Sequence, residues 1–279
     1  MGEVINFYKF FKQNQQQLFK LIKFSFLLIG LAFIVFQLKN LKLEYLKLLE
    51  IRVFLISTLF LFIGISLFSY YWGYLLKNVD SKVLLSTSMK NYFQGQLGKY
   101  IPGSIWSITG RIGLASESGL PLGEVTRITT NHLIHLWLNC LFLGLILYVE
   151  EMLLLVIFFL LLVSYSLYFK KPYFVYSTGW LFIGISYLIL IANQEQLLII
   201  NDFKILSSSL LSWLGGFLFI PSPSGIGVRE YLFTYIYSDI NLYDQLFIIA
   251  TLSRISSVIG DFFGVLFYTL YSQQKDKNK

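Results

Sequence analysis

Ionisable side chains inside apolar segments are costly and are functional candidates by default. This 279-residue sequence places Arg254 and Asp261 in its last apolar run. It places Arg229 and Glu230 directly after Pro221-Ser222-Pro223-Ser224-Gly225-Ile226-Gly227. An earlier stretch has the same character: Lys99, then Pro102-Gly103-Ser104, then Arg111. A helix that begins after such a break presents unbonded backbone N–H groups and the positive end of its dipole. Ser104, Ser222 or Ser224 add hydroxyl donors, and Gly225 and Gly227 let a ligand approach the backbone. Arg229, Arg254, Arg111 and Lys99 add charge, guanidinium being suited to bidentate phosphate contacts. The chemistry is anion binding, and a phosphate-bearing lipid headgroup fits it. A structural reading competes: Arg254 paired with Glu230 and Arg229 with Asp261, because buried charges are usually paired whatever their role.

Other chemistry is poorly represented. His132 and His135 share a helix face, but no neighbouring carboxylate or cysteine completes a metal site, and Asn131 and Asn139 offer hydrogen bonds instead. Neither a metal nor a cofactor is expected. Glu117 and Glu124 lie in a Gly/Ser/Pro-containing loop, where solvation is the default. A Gly-x-Ser-x-Gly elbow, a P-loop and paired carboxylates for hydrolysis are absent from the sequence. Cys140, the single cysteine, stands in an apolar run and reads as packing.

The elements that must hold these residues follow from composition. The sequence is 56% hydrophobic and 13% charged, against about 25% charged in a soluble domain. Uncharged runs at 53–76, 128–149, 152–169, 172–194 and 205–228 are each long enough to cross the bilayer as a helix. Residues 24–38 add a shorter span, extended by residues 19–23, and 39–50 read as a helix lying at the interface. Residues 81–125 are too polar for a lipid-facing span and too apolar for a free loop, as expected of helices packed inside a bundle or dipping partway in. The Pro/Gly breaks at Pro102, Gly103, Pro221 and Pro223 cannot continue an ordinary helix. The expected fold is an all-α polytopic bundle of about six to eight crossings with two broken or re-entrant segments. The likeness of the two breaks, each Ile-Pro followed eight or nine residues later by arginine, reads as either a cheap coincidence or an inverted repeat.

One transmembrane domain is expected over 1–279, with a cytoplasmic N-terminal segment at 1–18 and a C-terminal tail at 273–279. No cleaved signal peptide is expected. The net charge of +7 sits beside spans rather than on one folded face, which argues against nucleic acid as a partner. The positive-inside rule puts both termini and Lys170–Lys171 in the cytoplasm of a cell with the chain in its (inner) membrane, although Lys39, Lys42, Lys47 and Arg52 then fall outside.

The string Pro223-Ser224-Gly225-Ile226-Gly227-Val228-Arg229-Glu230 resembles the Pro-Gly-Gly-x-Gly-x-Arg-Glu signature of the flippase-like family, which shares the transmembrane region of lysylphosphatidylglycerol synthases. Gly98-Lys99-Tyr100-Ile101-Pro102-Gly103-Ser104 is similar to that family's Gly-Lys-x-x-Pro-Gly stretch, and Leu252-Ser253-Arg254 fits its late intramembrane arginine. Ser224 departs from the pattern, standing where glycine is usual, and Trp106 is bulky for its place after the first Pro-Gly. The resemblance implies re-entrant helices that bind lipid headgroups and move lipids between leaflets, with a standalone role in envelope or surface-glycan assembly and a phospholipid, polyprenyl-phosphate or glycolipid client. The soluble domain that transfers lysine in bifunctional relatives has no counterpart here, so aminoacyl transfer is not expected. Glu230 and Asp261 would hold the arginines. Two alternatives remain open: a non-transporting subunit of a membrane glycosyltransferase, and an intramembrane transferase on lipid-linked sugars using Glu117, Glu124 or Glu230.

Overall fold

The computed structural model describes residues 50–100, 105–192, 201–219, 223–237 and 242–277. The expected span at 24–38, the interfacial helix at 39–50 apart from Glu50, the segment 1–18, and Pro102, Gly103, Ser104, Pro221 and Ser222 lie outside these residues.

Among the described residues the secondary structure is entirely helical: α1 (Ile51–Lys77), α2 (Leu85–Gln96), α3 (Ile105–Glu117), α4 (Leu122–Val149), α5 (Met152–Phe169), α6 (Phe174–Ala192), α7 (Asp202–Leu218), α8 (Val228–Tyr237) and α9 (Tyr243–Lys277). Short 3-10 turns, Leu97–Tyr100 and Pro223–Gly225, sit at the two breaks. Five helices, α1, α4, α5, α6 and α9, are long and apolar enough to cross a membrane, and the chain is a multi-pass membrane bundle. The run 152–169 becomes α5 with unchanged bounds, since Glu150 closes α4 before it and Lys170 closes α5 itself, both in the left-handed conformation. The run 205–228 differs from expectation. Its helix ends at Leu218, and the chain turns back instead of crossing.

Of the remaining four helices, three are half-length and α7 is longer, at 17 residues. At 1.5 Å per residue α2, α3 and α8 reach about 18, 20 and 15 Å, well short of about 30 Å of hydrocarbon. They form antiparallel hairpins with α2 against α3 and α7 against α8, and glycine makes both possible. A Cβ on Gly98 would lie 2.6 Å from the Trp106 carbonyl, and one on Gly95 would overlap the Arg111 backbone at 2.7 Å. In the second hairpin, a Cβ on Gly225 would meet the Gly216 backbone at 2.5–2.7 Å. Without a hydrophobic drive between helices in lipid, such small-residue contacts are the main packing device. Gly98→Ala should therefore cost about 1–3 kcal/mol through overpacking. Gly113→Ala, in α3 with nothing within 4 Å, should gain about 0.5–1 kcal/mol. Thermal denaturation of the two purified variants in one detergent separates these signs.

The hairpins approach each other from opposite faces of the bundle. α1 and α6 run antiparallel: Ser57 Oγ donates to Ser186 O (2.8 Å), Gly64 abuts Gly179, and Tyr71 meets Tyr176 edge-on. α2–α3 follows α1 and α7–α8 follows α6, so each hairpin enters from the end at which its own leading helix finishes. α4 packs on α7 through Ser207 Oγ to Gly144 O (2.8 Å) and Cys140 Sγ to Leu210 O (3.3 Å). α9 correspondingly packs on α2, with Phe93 against Gly264. The set α1–α4 thus matches the set α6–α9 with reversed polarity, joined by α5, and the 3-10 turns at the two tips touch. That is the arrangement of an inverted repeat.

Candidate functional site

Where the tips meet, a cavity of about 40 Å³ (volume open to the centre of a water molecule) is lined by Lys99, Arg111, Arg229 and Arg254. That is room for more than one water molecule or for a small anion. Gln96, Ser253 and Ser257 add polar groups to the wall, and Trp213, Phe217 and Ser257 at its edge are partly exposed. No carboxylate lines it among the described residues.

The cations are held in two different ways. Lys99, 5% exposed, reaches Asp261 Oδ2 at 2.6 Å and donates to Ser257 Oγ at 3.3 Å. The Tyr100 hydroxyl donates to the same Asp261 oxygen at 2.5 Å. Arg254 Nε lies 3.0 Å from Glu230 Oε1, an ion pair off the hydrogen-bonding line, while its Nη2 donates to Gly225 O at 2.8 Å. Arg254 therefore joins α9 to the tip of the second hairpin. Arg111 and Arg229 have no salt bridge among the described residues. Arg111 lies over the Tyr92 ring at 4.5 Å and its Nε donates to Ser107 O at 3.0 Å. Arg229 lies over the Trp213 ring at 5.0 Å, with Gly216 giving space to its stem.

The expected pairing is thus half right. Arg254 does meet Glu230, but Asp261 holds Lys99 instead of Arg229, because α9 packs its Asp261 face on α2 and not on α8. Lys99, Arg111, Arg229 and Arg254 do come together. Ser224, Gly225 and Gly227 do not line the cavity. Gly225 is spent on the close approach to Gly216, and its carbonyl serves Arg254. The N–H of Gly227 is taken by Glu230 Oε2 at 2.9 Å, with Gly227 at the N-cap and Glu230 at the third helical position of α8. This is half of a capping box, so the anion expected at that helix start is the protein's own carboxylate. Ser224 adopts φ 52°, ψ 19°, a region that favours glycine.

The sequence reading missed Tyr92 and Trp213, the rings that carry the two arginines without acids, and Tyr100, the second donor to Asp261. Aromatic residues supply 18% of the chain, so nothing in their spacing singles these out. His132 Nδ1 shares a hydrogen bond with the Tyr176 hydroxyl at 3.0 Å, and His135 packs on Tyr173 with ring centroids 4.9 Å apart. Both belong to an aromatic cluster, and no metal-ligating group of three was found among the described residues. Glu124 pairs with Arg127 at 2.6 Å on the surface, and Glu117 is exposed.

Fold and site together define a class: a multi-pass helical membrane protein with two opposed half-length hairpins and a basic cavity at their tips. No family model, curated protein or solved structure matches the chain.

Proposed function

We propose that the chain is a lipid translocase that binds a phosphate-bearing headgroup between the two hairpin tips. The convergence of four buried basic side chains on a cavity without a lining carboxylate carries this reading. The strings around Lys99, Arg229 and Arg254 that resemble the flippase-like family support it. So does the inverted arrangement, in which small relative shifts of the tips expose one central place to either side. The charge distribution supports an orientation. Lys77, Lys82, Arg127, Lys170, Lys171, Lys275 and Lys277 fall at one end of the bundle. Arg52 and Lys204 fall at the other, beside Glu50, Glu150, Glu151, Asp202 and Asp244. The positive-inside rule makes the lysine-rich end, where the first hairpin enters, cytoplasmic. Envelope or surface-glycan assembly in the cell membrane is the setting that the family resemblance suggests. The non-transporting subunit reading draws on the Lys99–Asp261 and Arg254–Glu230 pairs, which serve structure whatever else they do.

The test is leaflet transfer of a fluorescent phosphate-bearing lipid in liposomes containing the purified chain. Wild type should accelerate transfer over protein-free vesicles. Arg254→Ala should slow it about ten- to a hundredfold, the equivalent of one or two charge-assisted hydrogen bonds. Unchanged transfer by Arg254→Ala removes that residue from the mechanism, and a wild-type protein that moves no labelled lipid overturns the translocase.

A further inference from the structure

Charge balance in the cavity says what kind of phosphate belongs there. Lys99 and Arg254 each have a carboxylate, Asp261 and Glu230, and both carboxylates stand behind the wall. Arg111, 2% exposed, and Arg229, 8% exposed, have an aromatic face in place of an acid. A ring face attracts a cation but neutralises nothing. Arg111 Nη1 and Arg229 Nε are buried N–H groups with no hydrogen-bond partner among the described residues. Among the described residues the cavity therefore carries a surplus of two positive charges. A buried cation without a counter-charge is costly, and the cost is removed by a guest carrying the opposite charge. We propose that the site selects a dianionic phosphate group, a lipid phosphomonoester, over a phosphodiester monoanion.

This inference rests on the headgroup-binding reading and narrows it. A phosphodiester leaves one of the two arginines uncompensated, whereas a phosphomonoester satisfies both. A terminal phosphate also suits the small cavity, since its oxygens face all sides without a second ester chain to accommodate. The structure makes a second demand. Replacing either surplus arginine by a neutral residue relieves the unliganded protein even as it weakens binding.

The test uses the full chain in phosphatidylcholine nanodiscs doped with dioleoyl phosphatidic acid or dioleoyl phosphatidylglycerol, at a pH well above the second ionisation of a phosphomonoester, about 6. Native mass spectrometry reads the retained lipid and thermal denaturation reads stability. Phosphatidic acid should bind about tenfold or more tightly than phosphatidylglycerol, because one further charge is neutralised in a low-dielectric site. Arg111→Gln and Arg229→Gln should each bring that ratio close to unity and should each melt higher than wild type in phosphatidylcholine alone. Equal, tight retention of both lipids overturns the dianion inference and leaves headgroup binding standing. Retention of neither overturns both. Inorganic phosphate that stabilises the protein in phosphatidylcholine discs as strongly as phosphatidic acid supports the dianion and overturns the lipid as its source. A variant that melts lower than wild type without added anionic lipid overturns the charge surplus. The wild-type comparison of the two lipids stands even if one variant fails to fold.

Discussion

Asp261→Ala is expected to cost the folded protein about 3–5 kcal/mol, the usual result of removing one partner from a buried ion pair. Asp261 is fully buried and is the shared acceptor for Lys99 Nζ and the Tyr100 hydroxyl. The alanine leaves an ammonium and a hydroxyl unpaired at the tip of the first hairpin. Neither can turn to bulk solvent, since Lys99 and Tyr100 are themselves buried. The loss should appear as a large fall in thermal midpoint in detergent. The double variant Lys99→Met with Asp261→Leu should recover part of it, because an apolar pair of similar volume replaces the buried ion pair at little net cost while the Tyr100 hydroxyl stays without its acceptor. A single variant within about 1 kcal/mol of wild type would mean that water reaches Lys99. The double variant has a functional use as well. It deletes one positive and one negative charge, so the surplus on Arg111 and Arg229 is unchanged. Preference for a doubly charged phosphate should survive it, which separates the structural pair from the binding pair.

That division between pairs marks the limit of what was legible in the sequence. The crossing helices were, because lipid tolerates so few charges that an uncharged run between charged ends leaves little freedom; α5, between Glu151 and Lys170, is the clearest case. Half-length hairpins were legible only as an anomaly. Residues 81–125 were too polar for lipid, and the Pro/Gly content of 219–227 barred a straight helix, but the apolar run at 205–228 hid the reversal at Leu218. Apolarity reports the surroundings of a segment and says nothing of whether the segment comes back. Gly215 and Gly216, which take Leu232 and Arg229 against their bare backbone, were the available clue. The four cations were identifiable because intramembrane charge is rare. Their partners were not, because Lys99 and Asp261 are 162 positions apart and only the packing of α9 on α2 brings them together. Glycines beside a break suggest room for a ligand. Here Gly225 gives that room to another backbone and Gly227 gives its N–H to Glu230.

Gly225 is accordingly the position at which the smallest substitution should have the largest effect on movement. Its φ is +70°, so an alanine there incurs about 1–2 kcal/mol of left-handed strain. Its Cβ would also lie 2.5 Å from Gly216 O and 2.6 Å from Gly216 Cα, and backbone cannot rotate aside as a side chain can. Overpacking adds about 1–3 kcal/mol. Gly227→Ala is the natural control, since its φ of +77° brings the same strain while nothing lies within 4 Å of the added carbon. Gly225→Ala should therefore melt lower than Gly227→Ala by the overpacking contribution alone. Transfer should separate the two further. Relief of the Gly225 overlap must spread the arms of the second hairpin, and the Gly225 carbonyl that accepts from Arg254 Nη2 moves with it. Displacing that carbonyl unlatches Arg254 from the tip and widens the place where the two hairpins touch. Leaflet transfer should then fall about tenfold or more in Gly225→Ala and much less in Gly227→Ala, measured at a temperature where both remain folded. Equal transfer by the two variants would show that the close approach of Gly225 to Gly216 stabilises the hairpin without setting the geometry of the cavity. The arginine latch would then have to hold through Glu230 alone.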